Sequence, residues 1–132
     1  MEKEFVPYEL AVKLKTLGFD EPCFGIYLMK EFRYSSPPMT LENTTKGIEL
    51  LAPTFSQAFR WFREKHGICS WIERLYTENS VAYYKTNQEY KKDASSKMHN
   101  LIISLKEYNT YEEAELECLK KLIEIVKQKI ED

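Results

Sequence analysis

Aspartate, glycine and histidine are all scarce in this chain of 132 residues. The only aspartates, Asp20, Asp93 and Asp132, lie far apart, whereas magnesium and calcium sites draw on several carboxylates close together. Gly18, Gly25, Gly47 and Gly67 are scattered, so neither G-x-G-x-x-G nor a P-loop is present to cradle a phosphate. Two histidines, His66 and His99, without a carboxylate–histidine spacing leave little for a transition metal. No metal and no organic cofactor is expected. The three cysteines, Cys23, Cys69 and Cys118, are odd in number and form no C-x-x-C. That pattern reads as free thiols in a reducing compartment. No apolar run approaches the roughly 18 residues of a membrane span. The opening Met-Glu-Lys-Glu-Phe-Val-Pro has no basic segment followed by an apolar one. A cytoplasmic protein without a membrane partner is the expectation.

Charge is nearly balanced, with 19 Lys and Arg against 21 Asp and Glu. Non-specific nucleic-acid binding works by counterion release from a basic face, so nucleic acid is not the expected partner. What the chain has in quantity is rings. Aromatic residues make up 14%, nine of them tyrosines. Each buried hydroxyl needs a hydrogen-bond partner, so some of these rings are expected at the surface. The length suits one domain, residues 1–132, which buries roughly two-thirds of its unfolded surface without staples.

The patterning predicts three helices. Residues 7–17 carry a Leu10, Leu14, Leu17 stripe and stop at Gly18, with Phe19 folding back on Leu14. Thr54 and Gln57 form a capping box ahead of the stripe Phe55, Ala58, Phe59, Phe62. Thr110 and Glu113 repeat that box ahead of Ala114, Cys118, Leu122 and Ile125. Strands are predicted over 23–29, 48–52, 69–76, 81–86 and 101–105, the last of them central. Residues 33–47, with Ser-Ser-Pro-Pro and Asn-Thr-Thr, read as a loop, and so do the lysine-rich residues 87–97. The order α-β-β-α-β-β-β-α predicts an α+β fold: three helices on one face of a mainly antiparallel sheet of about five strands.

Chemistry is thin. Cys69 lies three residues from His66, the one pairing that suits nucleophilic catalysis, but Gly67 breaks the helix between them. The acidic run 112–117 sits in the first turns of a helix, where the macrodipole favours carboxylates. The candidates for binding are of another kind. Arg60 and Arg63 lie on the polar side of the second helix with Trp61 on its shoulder. Arg and Trp are frequent interface anchors, and they also pack over core edges with the charge in water. The strands 69–76 and 81–86 are apolar on both faces. With helices on one side, the other face should show a patch around Trp71 or Ile72, Tyr84 and Ile102, either exposed or covered by residues 33–47. A symmetric homodimer is a common way to cover such a patch. Cys118 is expected to be buried, and Cys23 and Cys69 partly accessible at strand starts.

Phe5-Val-Pro-Tyr-Glu-Leu-Ala, Leu17-Gly-Phe-Asp-Glu-Pro-Cys-Phe-Gly and Ala52-Pro-Thr-Phe-Ser-Gln-Ala-Phe-Arg-Trp-Phe-Arg-Glu-Lys, with 110–126, resemble a family of small proteins of bacterial and phage or prophage genomes. The resemblance covers most of the chain. It implies a bacterial or phage cytosolic setting and carries over no catalytic residue. Residues 54–126 also share the element order of a double-stranded-RNA-binding domain. That module presents lysines at the start of its last helix, where this chain has Tyr111-Glu112-Glu113-Ala114-Glu115. The resulting expectation is a non-enzymatic binding module acting on a protein partner. A nucleic-acid accessory protein using Arg60, Arg63 and Arg74 is the alternative, and a Cys69/His66 enzyme ranks third.

Overall fold

The computed structural model describes residues 2–91 and 99–131. Its elements run α1 (Tyr8–Thr16), β1 (Cys23–Leu28), β2 (Glu31–Met39), β3 (Glu49–Ala52), α2 (Phe55–His66), β4 (Cys69–Tyr76), β5 (Ala82–Lys91), β6 (His99–Ile103) and α3 (Tyr111–Glu131). The fold is α+β, with the helix and strand order close to the expected one. Among the described residues the strands number six and form two antiparallel sheets, β2-β1-β3 and β4-β5-β6. Alternation identifies strands but does not choose their partners. Here β3 pairs with β1, and α2 separates it in sequence from β4. The chain divides into two compact units, Met1–Ala58 and Phe59–Asp132, with the boundary inside α2.

In the first unit α1 packs on β3 and buries Leu10, Ala11 and Leu14. The helix ends as its sequence predicts. Gly18 takes φ 99° and the Phe19 N–H donates to the Leu14 carbonyl at 3.0 Å. The segment read as a loop contains β2 instead. Pro37 and Pro38 are tolerated because they fall on an edge strand, in the register irregularity between the pairs Gly25–Tyr34 and Cys23–Met39. Five rings gather around this sheet. Phe5, Phe32 and Tyr34 touch one another, and Tyr27 meets Phe32 and Tyr8 edge-on. Tyr27 donates its hydroxyl to the Val6 carbonyl at 2.8 Å. Gly25 makes this packing possible: a Cβ there would lie 2.7 Å from Phe5 and 2.8 Å from Phe32 and the Ala52 carbonyl.

The β1–β2 connection is a two-residue turn, with Leu28 paired to Glu31. Both central residues, Met29 (φ 50°) and Lys30 (φ 73°), sit in the left-handed region. Hairpin turns of this kind favour Asn-Gly, and side chains bearing a Cβ cost about 1–2 kcal/mol each there.

Both capping boxes form their first bond, one in each unit. Gln57 N–H donates to Thr54 Oγ1 at 3.1 Å, just before the boundary, and Glu113 N–H donates to Thr110 Oγ1 at 3.2 Å. The second sheet is a meander with β5 in the middle. The segment expected to be central, β6, is an edge, and β5 extends to Lys91 through residues read as loop. The rest of that expected loop lies outside the described residues. Helix α3 covers β4 and β5, burying Ala114, Cys118, Leu119, Leu122, Ile123, Ile125 and Val126.

Candidate functional site

Three contacts fix which side of the second sheet meets α3. Gln88 Nε2 donates to Cys118 Sγ at 3.4 Å, Tyr84 meets the Tyr111 ring, and Lys129 Nζ stands 4.7 Å over Tyr90. Strand alternation then turns the even-numbered residues of β5 toward the helix and the odd-numbered ones away. By register the same holds for Ile72, Arg74 and Ile102 on one side and for Trp71, Leu75, Leu101 and Ile103 on the other.

The expected patch is therefore split. Tyr84 and Ile102 lie on the α3 side, half-buried, while Trp71 alone of the predicted set lies on the open face. Ile102 was expected on the outer face, with Leu101, Ile103 and Leu105 pointing the other way. The register reverses them: Ile102 stands opposite Gln88, whose amide reaches into α3. Arg74 lies over the rings of Tyr76 and Tyr84, at 5.3 and 6.0 Å. Arg60 and Arg63 are exposed on α2. Trp61 is not a surface ring. It is 2% exposed, packed against Phe62 and His66 at 5.0 and 4.9 Å.

His66 and Cys69 do not form a couple. No hydrogen bond joins them, His66 Nε2 is buried without a partner among the described residues, and Cys69 is exposed. Burial, then the charges of Lys129 and Lys65, push the His66 pKa below its ordinary value. Cys23, expected to be partly accessible, is fully buried, because β1 is the central strand of its sheet. Its thiol is pushed up to about 12 by burial and by the nearby Glu21 carboxylate. Among the described residues no cluster of three or more His, Cys, Asp or Glu could hold a metal ion, and no helix is long and apolar enough to cross a membrane.

The open face has an order of its own. Across the sheet its rows are Cys69–Glu89–Leu101, Trp71–Asn87–Ile103, Glu73–Lys85 and Leu75–Tyr83. Trp71, Leu101 and Ile103 are 39%, 55% and 57% exposed. Between Trp71 and Ile103, Asn87 is only 3% exposed, and its Nδ2 has no hydrogen-bond partner among the described residues. Glu89 pairs with His99 Nδ1 at 3.2 Å. Sequence reasoning missed Lys85, Asn87, Glu89, Leu101 and Ile103. The signal was the alternation Lys-x-Asn-x-Glu, hidden by reading residues 87–97 as loop.

Two clefts of about 410 Å³ lie among the described residues. One lies in the first unit between α1, the β1–β2 turn and the start of β3, lined by Val12, Lys15, Met29, Lys30 and Ile48 among others. The other lies between α3 and the β5–β6 side of the second sheet, over Thr86 and Gln88. No protein-family model matches this chain, and no curated protein or solved structure resembles it closely enough to establish a relationship.

Proposed function

We propose that the protein is a small cytoplasmic interaction module rather than an enzyme, and that it docks a protein partner on the open face of β4-β5-β6. A second copy of the chain is among the partners this face suits. The observation that carries the reading is the cluster of exposed apolar side chains on that face, Trp71, Leu101 and Ile103. Clustered exposed apolar side chains mark contact surfaces. Three free thiols accord with a reducing cytoplasm. So does the resemblance to small bacterial and phage proteins.

The nucleic-acid reading has less in its favour, since Arg74 is engaged with two rings and the open face carries Glu73 and Glu89 beside Lys85 and Lys91. A photo-crosslinking amino acid placed at Leu101 tests the choice against one placed at Arg60. The expected result is a protein adduct from position 101 in the native cytoplasm, lost when Ile103 is changed to Asp. Adducts only from position 60 that disappear on nuclease treatment would favour the nucleic-acid reading and overturn this one.

A further inference from the structure

Resting on that reading of the open face, we infer that its occupant is a second copy of this chain, set by a two-fold axis so that Lys85 of each copy meets Glu89 of the other. The outward residues of the central strand run Lys85, Asn87, Glu89. Read backwards with the charges exchanged, the triplet is the same. Two such faces can be related by a two-fold axis lying between them in only two simple ways. An axis along the strands sets Lys85 on Lys85 and Glu89 on Glu89, which repels twice. An axis across the strands reverses the order, so Lys85 falls on Glu89 at both ends and Asn87 falls on Asn87 at the centre. Opposite charges attract and like charges repel by similar amounts at equal distance, so the face itself selects the second arrangement.

The side chains around the triplet fit that choice. A carboxamide is self-complementary, with an N–H to donate and a carbonyl to accept. That axis sets the two Asn87 side chains opposite each other at the centre of the face. The same axis stacks Trp71 on Trp71 and Ile103 on Ile103, so the exposed apolar groups bury one another. Face-to-face sheets stand about 10 Å apart, a gap that two side chains of this length fill. The central strand of the face carries both signs of charge, Lys85 and Glu89, two rows apart. A partner of one strong sign finds no match there, whereas a copy of the same face does.

Sedimentation velocity on the full chain tests the arrangement, with circular dichroism to confirm that each variant is folded. The unmodified chain should be dimeric at about 100 µM, a modest affinity. Lys85→Glu and Glu89→Lys should each weaken association by about tenfold or more, because symmetry places the repulsion twice. The double variant K85E/E89K should recover association, since the exchanged charges again face each other. A monomeric unmodified chain at that concentration overturns the inference but leaves the crosslinking test of the face standing. A dimer that Ile103→Asp splits but the charge exchange does not affect also overturns this arrangement, while keeping the open face as the docking surface. A dimer indifferent to all these changes overturns both.

Discussion

Gln88 donates its side-chain amide to the sulfur of Cys118 across 3.4 Å, inside the interface between β5 and α3. That contact orients the second sheet, and it leaves the thiol doubly protected. Burial holds the Cys118 pKa above its ordinary value, with the Gln88 and Ser70 side chains only partly opposing the shift. Reaction needs a thiolate within reach of the reagent. Cys118 and Cys23 are both buried, whereas Cys69 is exposed. Titration of the native protein with a colorimetric disulfide reagent should therefore find one fast thiol. The other two should appear only on unfolding, and Cys69→Ser should remove the fast phase.

Gly25 owes its place to the rings beside it rather than to its backbone freedom. A Cβ there meets Phe5, Phe32 and the Ala52 carbonyl at 2.7 to 2.8 Å. The carbonyl belongs to the β1–β3 ladder and cannot yield, since Gly25 is paired with Ala52. Gly25→Ala should destabilise the protein by about 1–3 kcal/mol, the usual cost of overpacking, read as a lower urea midpoint.

His66 gives the protein a one-sided pH dependence. Its pKa is lowered by burial, with Lys129 and Lys65 adding to the effect, so the folded state binds the proton less readily than the unfolded chain. Stability is complete above the ordinary value of 6.5 and is lost as pH falls through it, because protons then favour the unfolded state. Urea unfolding followed from about pH 7.5 to about pH 5.5 should show falling stability. In His66→Phe, which keeps a ring against Trp61 and Phe62, this component of the slope should vanish.

Much of the fold was legible because local signals set it. The capping threonines, the Gly18 stop and the apolar stripe of α3 all act within one helical turn or a few, and each was found where the sequence pointed. The sheets were less legible because pairing is a long-range choice. Nothing near Leu101 states that its strand lies at an edge, and nothing near Tyr84 states that its ring faces α3. One register position decided both. Once Gln88 meets Cys118, every second residue of three strands changes face. Proline misled in β2 for the same reason, since an edge is a property of the sheet and not of the segment. For Trp61 the sequence left two readings open, because an indole on the shoulder of a helix is a surface ring or a core ring depending on what packs beside it.

The β1–β2 turn yields the last prediction. Met29 and Lys30 occupy positive-φ positions that a two-residue hairpin normally gives to Asn and Gly. The turn holds because the strands on either side are paired, and the Met29 N–H donates to the Ile48 carbonyl at 2.9 Å. Met29 is 76% exposed, so it contributes little burial to set against the backbone cost. Replacing the pair by Asn-Gly keeps the main-chain bond to Ile48 and relieves both strained residues. The added glycine loses more entropy on folding, which cancels part of the gain. The double variant M29N/K30G should be more stable than the unmodified chain by about 1 kcal/mol. Thermal melting checks this, with a raised midpoint expected. An unchanged or lowered midpoint would mean that the Met29 and Lys30 side chains make compensating contacts along the cleft they line with Val12 and Ile48.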